Sequence, residues 1–168
     1  MARTRTTQQT TRIKGARVIL KTTTNAAGET KVTVREADVE EWVLQAAAIR
    51  ALRAMPEYSL SAGKGQFTLA GDFNSARRSP REQMKAKATG LMPGEHDIRI
   101  YIQGGQLGLI EMKAAKTPVS AEQKKRHALL SWMGFTRQAV LRATSEEEAE
   151  GLVVETVRGW LAEQRATA

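Results

Sequence analysis

The sequence predicts a mixed α/β domain built on a central sheet. Three observations carry that expectation. The chain has 168 residues, 41% of them hydrophobic, which is enough for one packed interior and too apolar for wholesale disorder. Its apolar residues follow a period of two in some segments and helical spacing in others. Turn and capping residues stand between those segments, in the order hairpin, helix, strand, helix, two strands, helix, strand, helix.

Residues 1–15 are rich in Thr, Gln and Arg and are expected to form a loose basic arm, either ordering on phosphate or simply frayed. Arg17–Lys21 and Lys31–Arg35 are β-type runs, and Asn25 to Gly28 between them supplies a turn, so a hairpin is expected. Residues 1–35 thus form an N-terminal extension, and residues 36–168 the main domain. Val39, Trp42, Val43, Ala46, Ile49 and Leu52 lie near helical spacing over 36–54, with Pro56 as the stop. Gln66 to Ala70 is a short strand, followed by a turn at Gly71–Asn74. Ser79-Pro80-Arg81-Glu82 is a helix start with a capping serine, a proline at the first helical position and a glutamate at the third. Ser120-Ala121-Glu122-Gln123 opens another capped helix, which stops at Gly134. Thr136 to Arg142 is a strand. Ser145 to Glu148 caps a final helix with Leu152, Val153, Val157, Trp160 and Leu161 on its apolar side.

Composition narrows the function. Formal net charge is +8, which suits nucleic acid or an anionic membrane surface as partner, or a merely soluble basic domain. Cysteine is absent, so there is neither a disulfide framework nor a cysteine zinc site, and a reducing cytoplasm fits. No apolar run approaches ~20 residues, and the basic N-terminus lacks the apolar centre of a secretory signal.

The chemistry concentrates between Gly94 and Lys113. Ile98, Ile100 and Ile102 share one face of a strand, and Asp97 and Tyr101 share the other. On the next run Ile110 and Met112 share a face, with Glu111 and Lys113 opposite. If the apolar faces coincide, Ile98 pairs with Ile110 and Asp97 meets Glu111. A strict two-residue turn at Gly104-Gly105 would instead pair Asp97 with Met112 and put the two acids on opposite faces. The apolar pattern therefore favours an odd-length loop or a bulge, which the glycines permit. Facing residues would then have Cβ atoms ~5 Å apart, and two carboxylates that close need a proton or a cation between them. Oxygen ligands favour Mg²⁺, then Mn²⁺, to polarise a phosphate and activate water, with Lys113 stabilising charge. An ordinary solvated Asp-Glu-Lys cluster is the alternative.

Gly94-Glu95-His96-Asp97, Glu111-Met112-Lys113, Ser120-Ala121-Glu122-Gln123 and Gly134-Phe135 together resemble the VRR-NUC branch of the PD-(D/E)XK nucleases, the virus-type replication-repair nuclease domain. Glu41-Trp42-Val43-Leu44-Gln45 is similar to the first-helix Glu-x-x-x-Gln of that family. Asn74, Arg77 and Arg78, then Lys87–Gly90 and Pro93-Gly94, are similar to its linking segment. The likeness spans roughly residues 36–163 and departs at His96, where the family has proline. His96 is read as a local turn substitution or as a contact to phosphate or metal.

The resemblance implies a restriction-endonuclease-like mixed sheet flanked by helices. It implies Asp97, Glu111 and the main-chain carbonyl of Met112 as metal ligands, Lys113 as the catalytic lysine, and Glu41 as an acid reaching the metal through water. Gln123 would lie beside the site, although the capping box alone also explains it. Glu40 competes with Glu41 for its role. Arg77, Arg78, Arg81, Lys85 and Lys87 before the site, and Lys116, Lys124, Lys125 and Arg126 after it, are candidate phosphate contacts or simply solvated faces. Trp132 and Trp160 are expected in the core, and His127 as an ordinary helix residue.

The expected function is a Mg²⁺- or Mn²⁺-dependent DNA endonuclease. The resemblance further implies a branched, junction or flap substrate, a viral setting in a bacterial or infected-cell cytoplasm, and a homodimer. The rival is a noncatalytic nucleic-acid-binding module that keeps the fold; a third possibility is a basic structural protein with an acidic partner.

Overall fold

Threonine, glutamine and arginine, rather than apolar residues, make the first strand. In the computed structural model of the chain, residues 4–13, 16–36, 39–72 and 79–167 are described. They form a mixed α/β structure with two sheets and four helices. The chain divides into two compact units, Met1–Val39 and Glu40–Ala168.

The first unit is an antiparallel sheet of β1 (Arg5–Ile13), β2 (Ala16–Thr24) and β3 (Thr30–Glu36), in that order. The loose arm expected over residues 1–15 is thus corrected: nine residues of it pair along the whole of β2, from Arg5 opposite Thr24 to Ile13 opposite Ala16. Its polarity concealed its β-branched content, since threonine suits a pleated surface as valine does. The expected hairpin is the β2–β3 pair. In its turn the Asn25 side chain accepts the amides of Ala27 and Glu29, and Gly28 takes a positive φ of 85°.

The second unit begins with α1 (Glu41–Arg53). It continues with β4 (Phe67–Gly71), α2 (Pro80–Ala88), β5 (Ile98–Ile102), β6 (Gln106–Ala114), α3 (Ala121–Trp132), β7 (Gln138–Ala143) and α4 (Glu146–Thr167). Its sheet runs β4-β5-β6-β7, antiparallel except for the parallel β6–β7 pair. A parallel neighbour requires a crossover, and α3 lies in it. Ile98, Ile100, Ile110 and Met112 are fully buried, with Val153, Val157 and Leu161 of α4 completing that side of the interior. Burying each such side chain contributes roughly 1.5–3 kcal/mol. The Trp160 ring lies directly over Gly108, leaving no space there for a Cβ.

Two expectations about faces are corrected. The inward residues of α1 are Leu44, Ala47, Ala48 and Leu52, whereas Trp42 is 51% exposed. The Leu-Gln-Ala-Ala-Ala run is apolar enough to allow either phase, and the Trp42 indole donates outward to Glu40 instead. Trp132, at the last residue of α3, is 84% exposed and is no part of the core, unlike Trp160. The turn expected at Gly71–Asn74 begins with Gly71 as the last residue of β4, and Asn74 lies outside the described residues. The helix starts at Ser79 and Ser120 carry complete capping boxes. At α4, Ser145 accepts the Glu148 amide while the Glu148 carboxylate receives Thr144.

Candidate active site

Register decides the site. Ile98 pairs with Ile110 and Ile102 with Gln106, so Gln103, Gly104 and Gly105 form a three-residue turn. Both glycines have positive φ, 83° and 77°, which a residue with a side chain adopts poorly. The loop is odd in length, and the two isoleucine faces coincide. Asp97, just before β5, lies across from the Glu111–Met112 segment, and the Met112 amide donates to Asp97 Oδ2 at 2.8 Å.

Around that contact five elements converge. Glu111 is 1% exposed and Lys113 5% exposed. The Lys113 ammonium lies 2.9 Å from Glu111 Oε1 and 2.9 Å from Glu41 Oε2 at the first turn of α1. Glu40 instead accepts the Trp42 indole, so of the two adjacent acids it is Glu41 that reaches Lys113. Gln45, one turn further along α1, donates to the main-chain carbonyls of Asp72 and Asp97 and fixes the start of β5. Gln123 serves two ends at once. Its carbonyl oxygen accepts the Ser120 amide in the capping box, and its amide nitrogen donates to Glu111 at 2.5 Å.

The electrostatics follow from this crowding. Burial, then the charge of Asp97, pushes Glu111 up to about 7, although Lys113 opposes the rise. Burial also raises Asp97, while the Met112 amide and Lys113 act against it. For Lys113 burial works against the charged form, but its bonds to Glu111 and Glu41 outweigh that and raise its pKa. At neutral pH, Asp97 and Glu111 therefore compete for a proton beside a permanent ammonium.

Two histidines complete the surroundings: His96, expected as a turn substitution or a contact to phosphate or metal, and His127, expected as an ordinary helix residue. His96 is fully buried and stacks on His127 with ring centroids 3.9 Å apart. His127 Nε2 is 3.9 Å from Glu111 Oε2, too far for a hydrogen bond. Burial, and then the neighbouring cations, hold His96 at about 3, so its ring is neutral. A signal was present: His127 follows Gln123 by four residues and so shares its helix face. Arg126, on the same side, pairs with Glu95 at 2.7 Å rather than standing free for phosphate. Gly94, with φ 80°, lies so close that a Cβ would come within 2.6 Å of the Glu122 backbone. Together these contacts clamp the segment 94–97 onto α3.

The donor set can be tested for a divalent ion. Among the described residues no group of three or more His, Cys, Asp or Glu is gathered as a cage. The arrangement is instead a pair of carboxyl groups, Asp97 and Glu111, and Glu111 Oε2 and Glu41 Oε1 are buried without a hydrogen-bond partner. A small hard cation that keeps several waters needs only one or two carboxylates, so the residues fit Mg²⁺ or Mn²⁺ in that open form. An extended residue projects its N–H and C=O to the same edge, so the Met112 carbonyl shares the Asp97 side.

Of the expected phosphate contacts, Arg77 and Arg78 lie outside the described residues. Arg81, Lys85 and Lys87 are exposed on α2, a helix with no buried residue, and Lys116, Lys124 and Lys125 are exposed near the start of α3. A groove of about 520 Å³ lies elsewhere, at the far end of β5, lined by Ser61, Lys64, Thr68, Tyr101 and Gln103 among others. Comparison with family models, curated proteins and solved structures finds no match to this chain. No described helix is long and apolar enough to cross a membrane.

Proposed function

We propose that this chain is a metal-dependent endonuclease that hydrolyses DNA phosphodiester bonds. The observation that carries the proposal is the carboxyl pair of half-buried Asp97 and buried Glu111, with buried Lys113 bonded to Glu111. Burying an acid and an amine together costs folding free energy unless function or pairing offsets it, and displaced pKa values gather at reactive sites. The four-stranded sheet with its flanking helices is consistent with a restriction-endonuclease-like core. The motif order supports membership of the VRR-NUC branch.

In this proposal Asp97, Glu111 and the Met112 carbonyl hold Mg²⁺ or Mn²⁺, and Glu41 adds a contact through water. The ion supplies charge neutralisation at the scissile phosphate and a more acidic water. Lys113, beside Glu111, would offer its ammonium to the charge that develops on the phosphate. Gln123 keeps the carboxyl plane of Glu111 fixed, and Gln45 fixes the main chain of Asp97. Arg81, Lys85, Lys87, Lys116 and Lys124, with Arg77 and Arg78, would lie along the substrate backbone. Preference for branched, junction or flap DNA, assembly as a homodimer with two opposed cuts, and action in the cytoplasm of a bacterial or virus-infected cell belong to the proposal through the family resemblance.

One observation favours the rival, a noncatalytic nucleic-acid-binding module: Lys113 already neutralises Glu41 and Glu111 without any ion. A panel of junction, flap, duplex and single-stranded DNA, titrated with Mg²⁺ and Mn²⁺, separates the two. Metal-dependent cleavage is expected. DNA binding without cleavage, and with no divalent-ion heat in calorimetry, gives the rival.

A further inference from the structure

The first unit has two unlike faces. Alternation along the paired strands puts Thr6, Gln8 and Thr10 of β1 on one face with Ile19, Lys21 and Thr23 of β2 and Lys31, Thr33 and Arg35 of β3. The other face carries Leu20, Thr22, Val32 and Val34. On the first face Lys21, Lys31 and Arg35 are exposed, as are Thr6, Gln8, Thr10 and Thr33. Among its described residues there is no carboxylate to neutralise them. Glu29 is held in the β2–β3 turn by Asn25. Residues 1–39 contain eight Lys and Arg against Glu29, Glu36 and Asp38, so five of the chain's eight excess positive charges lie in this unit.

We propose that this threonine- and glutamine-lined basic face, Lys21, Lys31 and Arg35 at its centre and edge, is a binding surface for duplex DNA. Charge complementarity supplies the attraction, since each cation that neutralises a phosphate releases a counterion. Two further features choose among polyanions. Residues 1–39 contain no Phe, Tyr or Trp, so the unit offers no platform on which the bases of a single strand could stack. The β2–β3 pair, which carries Lys21, Lys31 and Arg35, is a two-stranded ribbon of the kind that a DNA major groove about 12 Å wide admits. The narrow major groove of an RNA duplex would not admit it. The Thr6–Thr23 hydroxyl pair, the Lys21–Thr33 pairing and Gln8 give the face short donors and acceptors that can touch base edges between the cations. This inference depends on the register and charge of the first unit alone, and it holds whether or not the second unit cleaves DNA.

Binding of the full chain to a fluorescent 25-base-pair duplex, in EDTA so that no hydrolysis intervenes, tests it between 50 and 200 mM salt. The triple variant Lys21→Gln, Lys31→Gln, Arg35→Gln is expected to bind at least tenfold more weakly. Its log–log salt slope should fall by up to about 2.7, at about 0.9 per lost phosphate contact. The triple variant Arg53→Gln, Lys64→Gln, Arg158→Gln removes the same charge from exposed positions of the second unit and is expected to shift binding less than threefold. Lys21→Arg with Lys31→Arg should bind as the wild type does, and far-ultraviolet circular dichroism should show the same strand content throughout. Wild-type affinity in the first triple variant overturns the proposal. So does an equal loss in the two triple variants, and so does tighter binding to a single strand, to polyglutamate or to anionic vesicles than to the duplex. EDTA removes hydrolysis from this assay, so a failure of the hydrolysis proposal leaves this result readable.

Discussion

The two sheets of this molecule treat charge in opposite ways. The four-stranded sheet brings Asp97, Glu111 and Lys113 together, with Glu111 and Lys113 almost wholly removed from water. The three-stranded sheet leaves Lys21, Lys31 and Arg35 in solvent with no acid among the described residues of their face. Buried charge costs folding free energy, and its persistence is the ground of the proposed hydrolysis. Exposed charge costs little and informs only on the sign of a partner. The same residue types thus carry different weight in the two units, and burial rather than composition sets that weight.

The strongest way to break the contrast is to remove the buried groups. Glu111→Ala and Lys113→Ala should each lower metal-dependent DNA cleavage by about 10³-fold, an effect of about 4 kcal/mol on the barrier, whereas neutralising Lys21 should leave turnover on a saturating short substrate unchanged. Single-turnover cleavage measures both, and wild-type rates in the first two would remove the assigned site.

A smaller effect appears in the pH dependence of folding. Folded Glu111 keeps its proton to about pH 7, whereas unfolded it loses it near the ordinary carboxylate value of 4.5. Between those values the folded state binds more protons, so this contribution falls as pH rises, by about 3 kcal/mol in total. His96 acts in reverse. Unfolded it takes a proton below the ordinary imidazole value of 6.5, folded only near 3, so its contribution is lost as pH drops through that window. The two slopes oppose each other from pH 4.5 to 6.5. Thermal unfolding in EDTA should therefore show a melting temperature that climbs more steeply with pH in Glu111→Gln than in wild type, because the opposing Glu111 slope is gone. A variant profile no steeper than that of wild type would show that Glu111 does not titrate as described.

Backbone space gives the smallest test. A Cβ at Gly108 would enter the Trp160 ring, so Gly108→Ala should cost about 1–3 kcal/mol. A Cβ at Gly28 meets nothing within 4 Å, and Gly28→Ala carries only the positive-φ penalty of about 1 kcal/mol. Chemical denaturation of both, compared with wild type, would show whether the two sheets differ in packing as they do in charge.

Much of the hairpin was legible because isoleucine repeats at every second position on β5, which fixed a face and required an odd loop. The helix caps were legible for the same reason, since Ser79 and Ser120 answer to partners three residues away. What misled was local ambiguity. Residues 5–13 carry strand-forming threonines but almost no apolar residue, so the period-two signal was silent. In α1 a run of Leu and Ala is apolar in several directions, and Trp42 was assigned inward when the smaller side chains fill the interface. Trp132 ends α3, where the helix has passed the edge of the packed layer. His96 was recognisable only as a departure from proline. Its stack on His127 is a long-range contact that no local pattern records.

The three-residue turn at Gln103–Gly105 makes the site sensitive to count rather than to identity. Exchange of side chains there leaves the acids where they are. Deletion or insertion of one residue would turn β6 over, sending Glu111 and Lys113 toward Trp160 and the other α4 residues and bringing Ile110 and Met112 to Asp97. Parity at this hairpin is thus an all-or-nothing condition on inheritance: a substitution at Gly104 or Gly105 strains the turn without moving the acids, while a single-codon change in its length would erase the acid pair in one step.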